Sequence, residues 1–203
     1  DGAVAEPQTA QRFLGKIRTH ADRMAALVED LLELGRLESG ARAPEPEETR
    51  PAEVAEDVVA SFAGAATRKD ISLRCHDQGT PGVVTDPERL RRILENLVDN
   101  AVKYTPTGGR VEVTTSAGPD GSARVEVADN GPGIAAEHLA RIFERFYRVD
   151  RARSRELGGT GLGLSIVKHL AEGMGASVSV ESEPGKGAKF TVSLPAALPG
   201  KPA

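Results

Sequence analysis

Apolar residues recur at heptad spacing from about Thr9 to Ser39. Phe13, Ile17, Met24, Leu27, Leu31 and Leu34 fall on one seam, and Leu14 and Val28 widen it. Arg12, Lys16, Arg18, Asp22, Arg23, Glu29, Asp30 and Glu33 take the other faces. A helix of roughly thirty residues with such a stripe needs partner helices, because it cannot bury the stripe alone. Gly40 predicts its end, and Ala43-Pro44-Glu45-Pro46-Glu47-Glu48 reads as a linker. Thr49-Arg50-Pro51 then predicts the cap of a second helix reaching about Thr67, with Val54, Val58, Val59 and Phe62 inward.

Further along, Ile71 to Cys75 alternates as a short strand. Asp86 before Pro87 is a strong helix start, because aspartate caps free amides and proline suits the first turn. That helix is expected to reach Tyr104. Strands at Arg110–Ser116 and Ala123–Asp129 flank the Pro119-Asp120-Gly121 turn. A glycine-punctuated region leads to a helix at about Leu162–Glu172. Two last strands, Ala176–Ser182 and Ala188–Leu194, join through Pro184-Gly185-Lys186-Gly187. This mixture predicts an α+β fold, a two-layer α/β sandwich with one sheet covered on one face by helices, preceded by the long amphipathic helix. The expected segments are 1–40 (that helix), 41–50 (linker), 51–196 (the sandwich) and 197–203 (tail).

Composition narrows the function classes. A net charge of −4 supplies no basic field for nucleic acid, and aromatics at 3% offer no stacking platform for bases. Cys75 is the sole cysteine, so an internal disulfide and a cysteine-based zinc cluster are excluded. No uncharged apolar run is long enough to span a bilayer, so no membrane contact is expected of this sequence. The opening Asp1-Gly2-Ala3-Val4-Ala5-Glu6-Pro7 reads like a loop rather than a natural start.

Three groups of residues carry chemistry. On the helix from Asp86, Asn96, Asn100 and Lys103 fall within roughly 60° of one another, beside an apolar face of Leu90, Ile93, Leu97 and Ala101. Carboxamide oxygens are hard ligands suited to magnesium that already holds phosphate oxygens, and lysine neutralises phosphate. A solvated face carrying asparagines by chance is the plainer alternative. Next, Asp129 ends a strand before Asn130-Gly131-Pro132-Gly133-Ile134. There a carboxylate is able to accept a hydrogen bond from an exocyclic amine such as adenine's, while Gly131 and Gly133 let backbone approach a ligand. An ordinary turn is the commoner fate of Asp-Asn-Gly. Third, Gly158-Gly159-Thr160-Gly161-Leu162-Gly163-Leu164-Ser165 opens a helix with free amides for phosphate oxygens. It lacks the Gly-Lys-Ser/Thr of a Walker loop. A charged stretch, not a buried strand, precedes it, which removes the Rossmann reading.

The order of these elements resembles sensor histidine kinases. Asn96-Leu97-Val98-Asp99-Asn100-Ala101-Val102-Lys103-Tyr104 is similar to their N box, and Asp129-Asn130-Gly131-Pro132-Gly133-Ile134 to the first glycine box. Ile142-Phe143-Glu144-Arg145-Phe146-Tyr147-Arg148 resembles the F box, Gly159-Thr160-Gly161-Leu162-Gly163-Leu164 the second glycine box, and Gly185-Lys186-Gly187-Ala188-Lys189-Phe190-Thr191 the final glycine-rich turn. The likeness runs in order from about Thr49 to Pro195.

The resemblance implies a Bergerat ATP-binding fold taking ATP and Mg2+. Asp129 would contact adenine, Asn96 and Asn100 would hold magnesium, and Lys103 would meet phosphate. Tyr104 would pack near the base, with Ile134 and Leu164 shaping its pocket, and Thr191 would bond it. Arg148–Gly158 would form the ATP lid, with Arg148 on the γ-phosphate and Arg145 a lesser candidate. Related ATPases of the fold place a water-activating glutamate where this chain has Asn96, a poor base, and Glu95 is expected to point about 100° away. That favours phosphotransfer over hydrolysis.

The heptad helix is similar to the second helix of the dimerisation and phosphotransfer hairpin, in a flavour nearest the phosphate-regulon sensors. Implied partners are a response-regulator receiver domain, the chain's own phosphoacceptor helix and a second protomer. A cytoplasmic location with a membrane-anchored parent is implied as well. His20, His76, His138 and His169 all lack the phosphoacceptor context, so no catalytic residue is assigned and that histidine is expected upstream of Asp1. A serine kinase of the anti-sigma type and an ATP-binding interaction module are the rival readings.

Overall fold

The computed structural model describes residues 7–39, 44–150 and 159–196. The opening residues before Pro7, Gly40 and the start of the linker, most of the lid segment, and the 197–203 tail lie outside the described residues.

Helix α1 spans Pro7–Glu38, and α2 spans Pro51–Arg68. Helix α3, Pro87–Tyr104, is the central element. Asp86 caps it as expected, its side chain accepting the Arg89 N–H at 3.0 Å, with Pro87 in the first turn. Leu90, Ile93, Leu94, Leu97, Val98, Ala101 and Val102 recur at helical spacing and are buried. At its far end Lys69 Nζ donates to the Val102 and Lys103 carbonyls at 2.8 and 2.6 Å, which satisfies acceptors that the helix leaves open.

Five strands form the main sheet: β2 (Ser72–Gln78), β4 (Arg110–Ala117), β5 (Ala123–Asp129), β6 (Ser177–Ser182) and β7 (Ala188–Leu194), in the order β2-β4-β5-β7-β6. β2 pairs parallel to β4, and the other pairs are antiparallel. Helices α2, α3 and α5 (Gly163–Gly173) are packed together along one face, α3 lying between the other two. Alternate strand residues such as Val111, Val113, Val125, Val127, Val192 and Leu194 share one buried core with the apolar face of α3. The opposite face is polar, as Glu112, Thr114, Arg124, Glu126 and Lys189 attest.

Several details differ from the sequence expectation. Glu47–Thr49 (β1) and Val83–Thr85 (β3) pair as a small antiparallel ribbon, so Thr49 is a strand residue and not part of a cap. The residue preceding α2 is Arg50, with no side-chain cap. A four-residue helix α4, Ala136–Leu139, follows the first glycine turn. On α1 the seam is covered only toward its end: Leu34 is buried, whereas Phe13, Ile17, Met24 and Leu31 are exposed.

Candidate functional site

A cleft of about 670 Å³ opens between the ends of α3, the turn after β5, the segment before α5 and the last third of α1. Its volume lies in the usual range for small-molecule sites.

One wall is α3. Asn96, Asn100 and Lys103 border the cleft, as their helical spacing requires. Asn96 Nδ2 donates to the Arg92 carbonyl at 2.8 Å, which turns its oxygen toward the start of α5. The fit there is close: a Cβ on Gly163 would lie 2.7 Å from that oxygen. Lys103 Nζ is paired with Asp99 at 2.6 Å, and both line the cleft. Two carboxamides beside a lysine make a donor set suited to a hard divalent cation and phosphate.

Asp129 lies at the other end. Its carboxylate accepts the Gly131 N–H at 2.8 Å and a further backbone hydrogen bond from Ala188. Gly187 has φ +82, and any Cβ there would collide with the Asp129 carbonyl; a Cβ at Gly133, φ +70, would collide with the Glu183 carbonyl. Only glycine permits these two turns to cross so closely. Ser182 laces them together, its hydroxyl accepting the Ile134 N–H at 2.8 Å and donating to the Gly187 carbonyl at 2.6 Å.

Burial raises the Asp129 pKa, and the two backbone donors only partly offset this. The folded chain therefore holds that proton more tightly than the unfolded chain. This contribution to stability is present at low pH and is lost as pH rises through the raised value. Urea midpoints for wild type and Asp129→Asn between about pH 3 and pH 7 should show the wild type losing ground across that window. Parallel curves would contradict it.

An aromatic side completes the cleft. Phe146 has φ +61 and donates its N–H to the Gly161 carbonyl at 2.8 Å, so the chain turns there with Phe146 outward and Tyr147 lining the cleft. The Tyr147 hydroxyl lies 2.7 Å from His138 Nδ1, and the Arg141 guanidinium sits 4.3 Å from its ring centroid.

Of the other residues singled out from sequence, Tyr104, Gly133, Ile134, Arg148, Gly159, Thr160, Gly161, Gly163 and Leu164 border this cleft. Leu162 has its side chain fully buried in the core, and Gly131 acts through the Asp129 carboxylate. Thr191 is a correction. Strand parity puts Ala188 and Phe190 on the cleft, while Thr191 faces the opposite side of the sheet with Glu126, 3.5 Å away. Arg145 lines a separate groove with Leu34, Lys168 and His169. Glu95, expected to point away from the site, instead borders the cleft together with Asn96, and its carboxylate lies 3.7 Å from Arg92. Residues 151–158 of the lid segment lie outside the described residues.

Sequence reasoning missed Phe62, Ile142, Tyr147 and Phe190 as cleft residues, and missed that α1 supplies Ala26, Glu29 and Asp30. The α1 residues carry no signal in the sequence, since only tertiary docking brings them there.

Comparison with known proteins agrees with this geometry. Residues 85–198 match the family model described as histidine kinase-, DNA gyrase B-, and HSP90-like ATPase. The sensor-like histidine kinase SenX3 of Mycolicibacterium smegmatis is 37% identical over 190 residues, 94% of this chain and 49% of the relative. The chain thus spans about half the length of that curated relative. Full-length ShkA in complex with AMPPNP superposes with a TM-score of 0.80 at 34% identity, over 95% of this chain and 40% of that one. The histidine kinase ThkA, solved in complex with the response regulator TrrA, superposes with a TM-score of 0.75 at 25% identity, over 94% of this chain and 52% of that one. No described helix is long and apolar enough to cross a membrane. With its five-stranded sheet, its paired glycine turns and its matched segment, the chain belongs to the histidine kinase-, DNA gyrase B- and HSP90-like ATPase family and carries the ATP-binding catalytic domain of a sensor histidine kinase.

Proposed function

We propose that the cleft binds ATP with magnesium and that the protein of which this chain is part transfers the γ-phosphate to a histidine. A response-regulator aspartate then receives it. The observation that carries this reading is the polarity of the cleft, with a half-buried carboxylate at one end and paired carboxamides, a lysine and a glycine loop at the other. Such a cleft suits a purine amine at Asp129 and a triphosphate at α3 and α5.

In this reading Asp129 accepts the adenine amine proton, while Ile134, Tyr104 and Leu164 flank the base. The Asn96 and Asn100 oxygens hold magnesium, which neutralises phosphate charge and orients the leaving group. Lys103 exchanges Asp99 for phosphate, and the amides opening α5 receive phosphate oxygens. Arg148, which borders the cleft beside Tyr147, would meet the terminal phosphate. Asn96 does not activate water, because a carboxamide takes up no proton near neutrality. Glu95 also borders the cleft, but its carboxylate faces Arg92 at 3.7 Å, so the transfer suits a separate nucleophile. The complex of ThkA with TrrA supports a receiver-domain partner, and the likeness to ShkA over 95% of this chain supports α1 as part of a dimerisation hairpin.

None of the four histidines borders the cleft. Incubation with γ-labelled ATP should therefore leave this chain unlabelled. A phosphoacceptor hairpin supplied in trans should gain an acid-labile, base-stable label. Acid-labile label on His20 would contradict the assignment, and so would failure to label any supplied hairpin despite bound ATP.

A further inference from the structure

The aromatic side of the cleft is held from outside it. Helix α4 and the turn after it carry His138 and Arg141, and neither borders the cleft. His138 Nδ1 lies 2.7 Å from the hydroxyl of Tyr147, which does border it. The other ring nitrogen, Nε2, faces Glu137 Oε1 at 3.6 Å. That carboxylate favours a proton on Nε2, which leaves Nδ1 to accept the Tyr147 O–H. Arg141 covers the tyrosine ring at 4.3 Å from its centroid and is itself paired with Glu144 at 3.2 Å.

These ties sit next to strained backbone. Phe146 has φ +61, a left-handed conformation that a bulky residue keeps only where its surroundings over-determine it. Its ring is exposed, so its own side chain does not supply that hold. On one side the Phe146 N–H donates to the Gly161 carbonyl at 2.8 Å. Packing there is backbone on backbone, since a Cβ on Gly161 would lie 3.0 Å from the Phe146 Cα. On the other side stands Tyr147, pinned by His138 and Arg141. Release of Tyr147 would let Phe146 relax, turning the tyrosine ring out of the cleft wall and loosening the turn at Gly161, which also borders the cleft.

We propose that His138 is a positioning residue for nucleotide binding, acting through the Tyr147 hydroxyl to keep that ring in the cleft wall. The inference rests on the nucleotide reading above and deepens it. Asp129, Asn96 and Asn100 act there by contact, whereas His138 acts one step removed. A wall fixed in advance removes the cost of ordering the ring on binding, and this appears as affinity.

The test titrates the whole chain with AMPPNP and magnesium in wild type, His138→Ala, His138→Asn, Tyr147→Phe and the double variant His138→Ala with Tyr147→Phe. His138→Ala and Tyr147→Phe should each weaken binding by about threefold to tenfold, the scale of one hydrogen bond. The double variant should bind no worse than the weaker single one, because both changes remove the same interaction. Asparagine places an amide oxygen where Nδ1 stands, so His138→Asn should bind within about twofold of wild type. The chain has two tyrosines and no tryptophan, so the near-UV circular dichroism of Tyr147 is readable as the difference between wild type and Tyr147→Phe. His138→Ala should lose that signal, and His138→Asn should keep it. Unchanged affinity in folded His138→Ala, losses that add in the double variant, or equal losses for the alanine and asparagine variants would overturn the proposal. Wild type that binds no AMPPNP would instead remove the nucleotide reading, and this inference with it.

Discussion

Asp129→Asn is expected to weaken ATP binding by roughly one to two orders of magnitude while leaving the fold intact. The carboxylate already accepts the Gly131 N–H at 2.8 Å and a backbone hydrogen bond from Ala188. An amide in its place satisfies one donor with its oxygen and must present its own N–H₂ to another donor. The remaining acceptor capacity, which the adenine amine would use, is lost. A hydrogen bond to a charged group contributes about 1.5–3 kcal/mol, which sets the size of the effect. The side chain is half-buried at the edge of a cleft rather than inside the core, so circular dichroism should be unchanged. Calorimetry on ATP and on adenosine should show the same loss for both, because the residue acts on the base. Undiminished affinity in a folded variant would remove Asp129 from base recognition.

Asn100→Ala should act on the opposite end of the ligand. Its carboxamide borders the cleft one turn beyond Asn96 on α3. If Asn96 and Asn100 hold magnesium as proposed, removing one of the two oxygens is expected to lower ATP–magnesium affinity by about tenfold or more, on the scale of a lost interaction with a charged group. Adenosine affinity should stay nearly unchanged, and so should ATP affinity measured in a chelator. Alanine suits a helix interior, and Leu97 and Ala101 on the neighbouring face stay buried, so stability should not suffer. An equal loss for adenosine and ATP–magnesium would show that Asn100 shapes the cleft and holds no metal.

The parts of this molecule that were legible in the sequence are those fixed by local rules. Helix α3 could be read because Asp86 and Pro87 mark its start and because its apolar positions repeat at helical spacing. The same periodicity fixes which residues share a face, so Asn96, Asn100 and Lys103 fall together on the cleft. The turns at Gly133 and Gly187 were legible as glycine turns, whereas their close crossing is visible only in the fold. Strand β7 began and ended where alternation placed it, yet its parity was not used, and Thr191 was assigned to the wrong face as a result.

What escaped was either very short or tertiary. The ribbon of Glu47–Thr49 with Val83–Thr85 has three residues a side, too few for a periodic signal, and one side adjoins a proline-rich stretch. Tyr147 reaches the cleft only because Phe146 takes a left-handed backbone that nothing in its residue type announces. Asp30 looked like one more polar residue on the outer face of a heptad helix, and its meeting with Thr160, 130 positions away, is a product of docking.

The most direct test of the account is a calorimetric titration of the wild-type chain with AMPPNP, with and without magnesium. Site polarity predicts saturable binding at one nucleotide per chain, tighter by about tenfold or more when magnesium is present. Adenosine should compete for the same site. Absence of saturable binding, or binding that adenosine does not displace, would contradict the assignment of this cleft to ATP.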